Sequence, residues 1–416
     1  MATTALSSFD QLAIDSAEIP QHFLDLDERV RTSPFPWRGQ FSPGLIDVFL
    51  STYGSCGTIV LDPFAGVGTT LFEAARKQLA CFGTEVNPAA VAMAETVRFV
   101  ALNTQQRQSL IQKARILLDH ALPASLGPLF GDHNDETEVA ERIAELIRQL
   151  PHGDPAHNLL TNVLIRVCEI GNPTSDDVRR ALHQHAAIVE SLPFSRERYA
   201  ITNSDARQLP LEDGSVDLVL TSPPYINVFN YHQNSRRAME LLGWDLLHVA
   251  KSEFGSNRKH RGNRFLTVIQ YCLDLEATLR ELRRVIKRDG RAIFVVGRES
   301  NVLGVAFQNG SLVGALAEQC GFAVSLRQER KFKNRFGKLI YEDLIHLNPV
   351  ERPTERTSGA RQLAMNALAL RVSSALKAEV VNGLRAAIAE APNIRQSPIY
   401  VRPPVTLWSR TELPRR

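Results

Sequence analysis

The chain has 416 residues, 44% of them hydrophobic and 22% charged, with a formal net charge of +3. That length supports a substantial core with additions, and so small a charge excludes a uniformly basic, nucleic-acid-coating surface, so any basic patch must be local. Five cysteines, Cys56, Cys81, Cys168, Cys272 and Cys320, stand far apart with no Cys-x-x-Cys pair. This argues against a zinc site, any other metal centre or a disulfide framework, and suits a reducing compartment. The N-terminus lacks a basic stretch followed by an apolar run, and no apolar run is long enough to cross a bilayer. A cytoplasmic protein without a membrane partner is expected.

Residues 1–30 read as an N-terminal arm. Pro34 to Pro43 is rich in proline and aromatics, including Phe35, Trp37 and Phe41, and is either a loop clamped by its rings or a ligand-lining segment. It leads into a helix over 44–50, with Ser42 at the N-cap and Pro43 at the first position. Residues 58–61 predict a strand, followed by Asp62-Pro63-Phe64-Ala65-Gly66-Val67-Gly68-Thr69-Thr70 and a helix over 71–76. Gly66 and Gly68 allow a tight turn and close ligand approach, and the helix N-terminus offers unpaired N–H groups. No Gly-Lys-Ser/Thr follows, so this is not a Walker loop, and the third glycine of the dinucleotide fingerprint is missing. A second strand over 80–85 ends on Glu85, roughly twenty residues beyond the glycines, where a Rossmann-like sheet carries the acid that holds ribose hydroxyls.

From 101 to 198 the pattern becomes helical, with helices over 105–122, 137–150, 157–168 and 175–192, the last started by Thr174-Ser175-Asp176. This reads as an insertion on an α/β body, serving packing, dimerisation or substrate recognition. A strand over 199–202 runs into Asn203-Ser204-Asp205-Ala206-Arg207, where Asp205 either accepts from an exocyclic amine or makes a turn. A strand over 216–220 then delivers Ser222-Pro223-Pro224-Tyr225. Residues 251–264 hold Lys251, Arg258, Lys259, His260, Arg261 and Arg264 against the single acid Glu253, either a solvated loop or a phosphate-neutralising one.

A helix over 268–285, a turn at Lys287-Arg288-Asp289-Gly290, a strand over 291–296 and a helix over 312–320 closed by Gly321 follow. Strands over 322–326 and 339–347 flank a basic run from Arg330 to Lys338. The tail predicts one long helix over 360–389 and a basic end around Arg402-Pro403-Pro404. Alternating strands and helices closed by a hairpin predict an α/β fold, with a mostly parallel sheet and an antiparallel edge.

Taken together, residues 34–100 and 199–347 resemble the adenosylmethionine-dependent amino-methyltransferases of DNA, through Asp-Pro-Phe-x-Gly-x-Gly-Thr-Thr and the strand-borne Ser-Pro-Pro-Tyr. The resemblance implies a Rossmann-like methyltransferase fold in a discontinuous catalytic domain, residues 31–100 and 199–349. A helical insertion (101–198) and a helical C-terminal extension (350–416) complete the chain. It implies S-adenosyl-L-methionine as cofactor, with Asp62, Phe64, Gly66 and Gly68 around its methionine end, Glu85 on its ribose and Asp205 on its adenine; Thr69 and Phe41 also belong to the cofactor site, Phe41 within a Phe35–Pro43 segment that resembles the family's N-terminal cofactor motif. It implies double-stranded DNA as substrate and leaves room for a cognate restriction endonuclease as partner; the charge of the basic loop favours Arg258, Lys259, Arg261 and Arg264 for phosphates, with the insertion and the C-terminal helix and tail open for base reading. The sequence leaves the oligomeric state open.

An exocyclic amine is conjugated with its ring, so its lone pair is poorly available. Acceptors aimed at both N–H groups, Ser222 Oγ and the Pro223 carbonyl, would draw the nitrogen toward a nucleophilic form, while the prolines fix φ and hold that carbonyl. Tyr225 would stack on a base flipped from the duplex. In this family Ser-Pro-Pro-Tyr accompanies mainly N4-cytosine and Asp- or Asn-Pro-Pro-Tyr N6-adenine, so Ser222 favours cytosine. C5 chemistry needs a cysteine, generally after proline, and every cysteine here follows another residue. The rivals are an N6-adenine enzyme, a transfer-RNA guanine-N2 methyltransferase and a DNA-binding module without turnover.

Overall fold

Strands form where short β-branched and apolar runs are bounded by turns: β1 (Ile59–Asp62), β2 (Ala80–Glu85), β3 (Tyr199–Asn203), β4 (Val216–Thr221), β5 (Ile286–Gly297), β6 (Glu299–Val302), β7 (Val305–Gln308), β8 (Phe322–Lys333) and β9 (Leu339–Pro349). The structure is a computed structural model that describes all residues except 1–7, 27–31, 38–40, 123–135, 152, 227–232, 256–259, 261, 334–335, 352–358 and 402–416. Seven strands make one sheet in the order β3-β2-β1-β4-β5-β9-β8, and β6 and β7 form a separate hairpin. The first five strands of the sheet are parallel, while β9 is antiparallel to both β5 and β8. This is the Rossmann-like sheet with an antiparallel edge that the sequence predicts.

Side chains alternate faithfully between the two faces. Val60, Leu218, Leu220, Ile293 and Val295 join one core, and Leu61, Val219, Phe294, Val296 and Ile345 join the other. Insertion helices Thr104–Ala121, Glu136–Gln149, Pro155–Val167 and Ser175–Ser191 bury Leu110, Ile143, Leu160 and Leu182 in the first core. Helix Pro155–Val167 also docks on helix Pro88–Ala94, where Asn158 and Asn162 donate to the Ala92 carbonyl at 2.7 and 3.0 Å. On the other face, helix Leu266–Val285 and the C-terminal helices share the second core through Leu275, Leu363 and Leu384. Both additions are therefore packed into the body. No helix among the described residues is long and apolar enough to cross a membrane.

Two expectations change, one element was not anticipated and one cap is met only in position. The tail helix is two, Ala360–Ala369 and Ala378–Glu390; between them Ser373 Oγ accepts from Ala375 N at 3.2 Å, a local bond that competes with helix. Residues Lys287 to Gly290 are a bulge inside β5, because Ile286 pairs with Val216 while Arg291 already pairs with Leu218. The β6–β7 hairpin turns at Leu303 and Gly304, both with positive φ, and carries no asparagine–glycine signal. Ser42 stands at the N-cap of helix Pro43–Tyr53, with Pro43 inside its first turn, but its side chain makes no capping bond.

Arg107, 5% exposed, ties the insertion to the body: its guanidinium donates to the carbonyls of Phe99, Val100, Val189, Leu192 and Pro193. Arg107→Ala would leave those carbonyls unsatisfied, and urea unfolding should show a loss of about 3 kcal/mol. A change below about 0.5 kcal/mol, the range of an ordinary surface substitution, would mean the clamp is unimportant.

Candidate active site

The chain builds β1, β2 and β3 outward in one direction and then returns to place β4 on the other side of β1. At such a reversal the loops leaving the carboxyl ends of the two central strands diverge and open a crevice. Val60 pairs with Leu218 and Leu61 with Val219, so the segments after Asp62 and Thr221 emerge side by side. Thr221 Oγ1 donates to Asp62 Oδ1 at 2.8 Å, Thr70 Oγ1 to Oδ2 at 2.6 Å, and Phe64 N to Oδ1 at 3.1 Å. Burial pushes the Asp62 carboxyl up to about 6 despite these donors.

One cavity occupies the crevice. It is lined by Phe41, Asp62, Phe64, Gly66, Thr69, Glu85 and Asp205 and by Ser222, Pro223, Pro224 and Tyr225. Glu85 leaves the end of β2 and is held from the loop: Gly66 N donates to Oε2 at 3.1 Å and Asn87 N to Oε1 at 2.9 Å. Desolvation pushes its carboxyl up to about 7, more than the backbone donors lower it. Gly66 has φ 50°, which keeps this turn open to its neighbours. Tyr225 is half-buried, its ring 3.3 Å from where a Cβ at Gly297 would sit, so the glycine that ends β5 makes room for it. Among the described residues no hydrogen bond engages Ser222 Oγ.

Two sequence assignments change. Gly68 does not line the cavity; it caps helix Thr69–Arg76 at φ 87°, and a Cβ there would lie 2.7 Å from Ala94 Cβ, so its glycine serves helix packing. Asp205 reaches the wall but is 2% exposed and fully engaged. Arg207 N and Nε donate to Oδ1, and Arg207 Nη2 and Tyr400 N to Oδ2, which uses the lone pairs an adenine amine would need. The basic stretch is not uniformly solvated: His260 is 4% exposed, and Arg264 is half-buried at the start of helix Leu266–Val285. Arg258, Lys259 and Arg261 lie outside the described residues.

Trp37 lines the cavity beside Phe41, as the ligand-lining reading of that segment allows, whereas the sequence reading missed the segment Ser252-Glu253-Phe254, which also lines it. The Phe254 ring meets Phe64 edge-on at 5.1 Å, and the Arg207 guanidinium lies 5.1 Å from its centroid on another side. An aromatic inside a charged run was the available signal.

A family model described as DNA methylase, of the N6/N4 type, matches residues 23–96. The type II methyltransferase M.MjaII of Methanocaldococcus jannaschii is 20% identical over 439 positions, covering 76% of this chain and 81% of its own. These matches support a DNA amino-methyltransferase with S-adenosyl-L-methionine as cofactor. Likeness to solved structures is loose. A SAM-dependent methyltransferase of Methanosarcina mazei aligns over 73% of this chain and 98% of its own at 12% identity and TM-score 0.33. An rRNA methyltransferase of Streptomyces viridochromogenes aligns over 80% and 94% at 12% and 0.29. The architecture therefore rests on the strand order itself.

The wall suits a sulfonium nucleoside: Glu85 offers acceptors for ribose hydroxyls, and Trp37, Phe41 and Phe254 offer apolar faces. The raised Glu85 carboxyl has a stability consequence. Its neutral form is favoured in the folded state, so the stability it contributes is complete below the unfolded value near 4.5 and is lost as pH rises through about 7. Wild type should therefore lose stability relative to Glu85→Gln between pH 5 and 8, read by denaturant midpoints; a pH-independent difference would refute the shift.

Proposed function

We propose that the protein methylates the exocyclic N4 of a cytosine flipped out of double-stranded DNA, acting in the cytoplasm as a site-specific, protective methyltransferase. What carries the reading is the register of β1 with β4, which sets Ser222-Pro223-Pro224-Tyr225 beside the Asp62–Gly66 loop in one cavity. S-adenosyl-L-methionine, when bound, supplies a methyl group made electrophilic by its sulfonium. Ser222 Oγ and the Pro223 carbonyl accept the amine's two N–H groups and so free the nitrogen lone pair. A nitrogen–carbon bond forms as the sulfur–carbon bond breaks, and one amine proton leaves to solvent.

Tyr225, half-buried against Gly297, presents a ring for the flipped base, and its fixed position limits the orientations the base can take. No cysteine is among the residues lining the cavity, which argues against the covalent C5 route. Serine rather than aspartate or asparagine at position 222 favours cytosine over adenine. The type II relative favours modification of a specific site, with a restriction endonuclease as the natural partner.

Mass spectrometry of nucleosides from DNA incubated with protein and cofactor, beside an RNA control, should show N4-methylcytosine. N6-methyladenine would overturn the assignment drawn from Ser222, and methyl groups on RNA alone would overturn the DNA substrate. Ser222→Ala should lower turnover by about a hundredfold while leaving cofactor affinity within about threefold. Gly297→Ala would press a methyl group on the Tyr225 ring. We expect turnover to fall about tenfold with a melting-point change of only a few degrees, since the altered contact is local; unchanged turnover would remove Tyr225 from the mechanism.

A further inference from the structure

The segment from Ile394 to Val401 has no regular secondary structure, yet Ile394, Ser397 and Tyr400 are 4%, 2% and 7% exposed. Its other residues are more exposed, but at these three buried positions the chain must spend its hydrogen bonds on the body, and these go to the back of the cavity wall. Arg207 is the hub. Its Nη1 donates to Asp274 Oδ1 at 2.8 Å and to the Ser397 carbonyl at 2.9 Å, and its Nη2 to the Pro398 carbonyl at 2.9 Å. Asp274 in turn accepts from Ser397 N at 2.8 Å and from Ser397 Oγ at 2.7 Å.

The same groups hold the segment that lines the cavity. Arg207 Nη2 donates to the Ser252 carbonyl at 3.0 Å, Gly255 N donates to Asp274 Oδ2 at 3.1 Å, and the single Ser397 hydroxyl proton is shared between Asp274 and the more distant Glu253 carbonyl at 3.2 Å. Backbone groups on either side of Phe254 are thereby fixed from behind. Tyr400 reaches a second segment. Its N–H holds Asp205 at 2.8 Å, and its hydroxyl donates to Asn203 Oδ1 at 2.8 Å, while Asn203 Nδ2 donates to the carbonyls of Glu85 and Val86, each at 2.9 Å. Val401 N closes the strap on His248 Nε2 at 3.2 Å.

We propose that this C-terminal strap is part of the cofactor site: Ser397 and Tyr400 are positioning residues that set the nucleoside end, Phe254 on one side and Glu85 on the other, and so determine cofactor affinity. The inference rests on the cofactor reading above. It gives the engaged Asp205 a role as the anchor between Arg207 and Tyr400. Because coupling is reciprocal, a strap that improves cofactor binding must itself be stabilised by cofactor.

Two measurements on the full-length protein test this. In wild type, adding S-adenosyl-L-methionine should slow amide hydrogen exchange across residues 397–401. In the Ser397→Ala/Tyr400→Phe double variant, calorimetric Kd for the cofactor should rise about tenfold or more, with Tyr400→Phe alone intermediate, while kcat at saturating cofactor stays within about twofold. Wild type that binds cofactor without added protection of the strap, together with variants of unchanged Kd, would overturn the inference and leave the cofactor reading intact. A lower Kd in the variants would make the strap an occluding plug and also overturn it. Wild type that binds no cofactor would defeat the cofactor reading and this inference with it.

Discussion

The Asp62 carboxylate holds the two halves of the cavity together. Thr70 Oγ1, on the helix after the glycine turn, and Thr221 Oγ1, at the end of β4, donate to different oxygens of that one buried group. A buried charge is costly unless its acceptor positions are filled, so the geometry that satisfies Asp62 is also the geometry that brings the glycine turn against the Ser222-Pro223-Pro224-Tyr225 segment. The motif residue next to the tetrapeptide, Thr221, is thus a structural donor, while Ser222, one position further on, lines the cavity.

The same economy recurs at the edges of the body. Arg107 collects carbonyls where the insertion meets the sheet, and Arg207 collects carbonyls and two aspartates where the C-terminal strap meets the cavity. In each case an arginine's fixed fork satisfies several backbone groups that irregular chain would otherwise bury unpaired. The additions are consequently parts of one packed body, reaching the catalytic crevice from opposite faces of the sheet.

Most of the sheet was legible because its signals are local. The strand over 58–61, the acid closing β2 and the helix start at Thr174-Ser175-Asp176 all follow from a few consecutive residues. What the sequence did not show depends on distant partners. The bulge at Lys287 to Gly290 looks like a turn until β4 is laid beside it. The basic run over 330–338 reads as a charged patch, but Arg330 pairs with Glu342 at 3.1 Å and lies over Phe332, so part of it is spent inside the hairpin. Phe254 looked like an incidental residue in a charged loop because its partner Phe64 lies far upstream.

Asp205 shows why residue type and position underdetermine a role. An acid at the end of β3 is well placed for an exocyclic amine, and the sequence contained no reason to look to Tyr400, 195 residues away, for its partner. Once Arg207 and Tyr400 fill its lone pairs, the acid is a structural anchor. On this reading, discrimination at the nucleoside end comes from Glu85 as ribose acceptor and from the fit of a flat ring beside Phe254. A shape-based pocket of that kind is only as selective as its walls are stiff. That stiffness is supplied from behind, by buried charge and an extended strap, where no residue need touch the ligand.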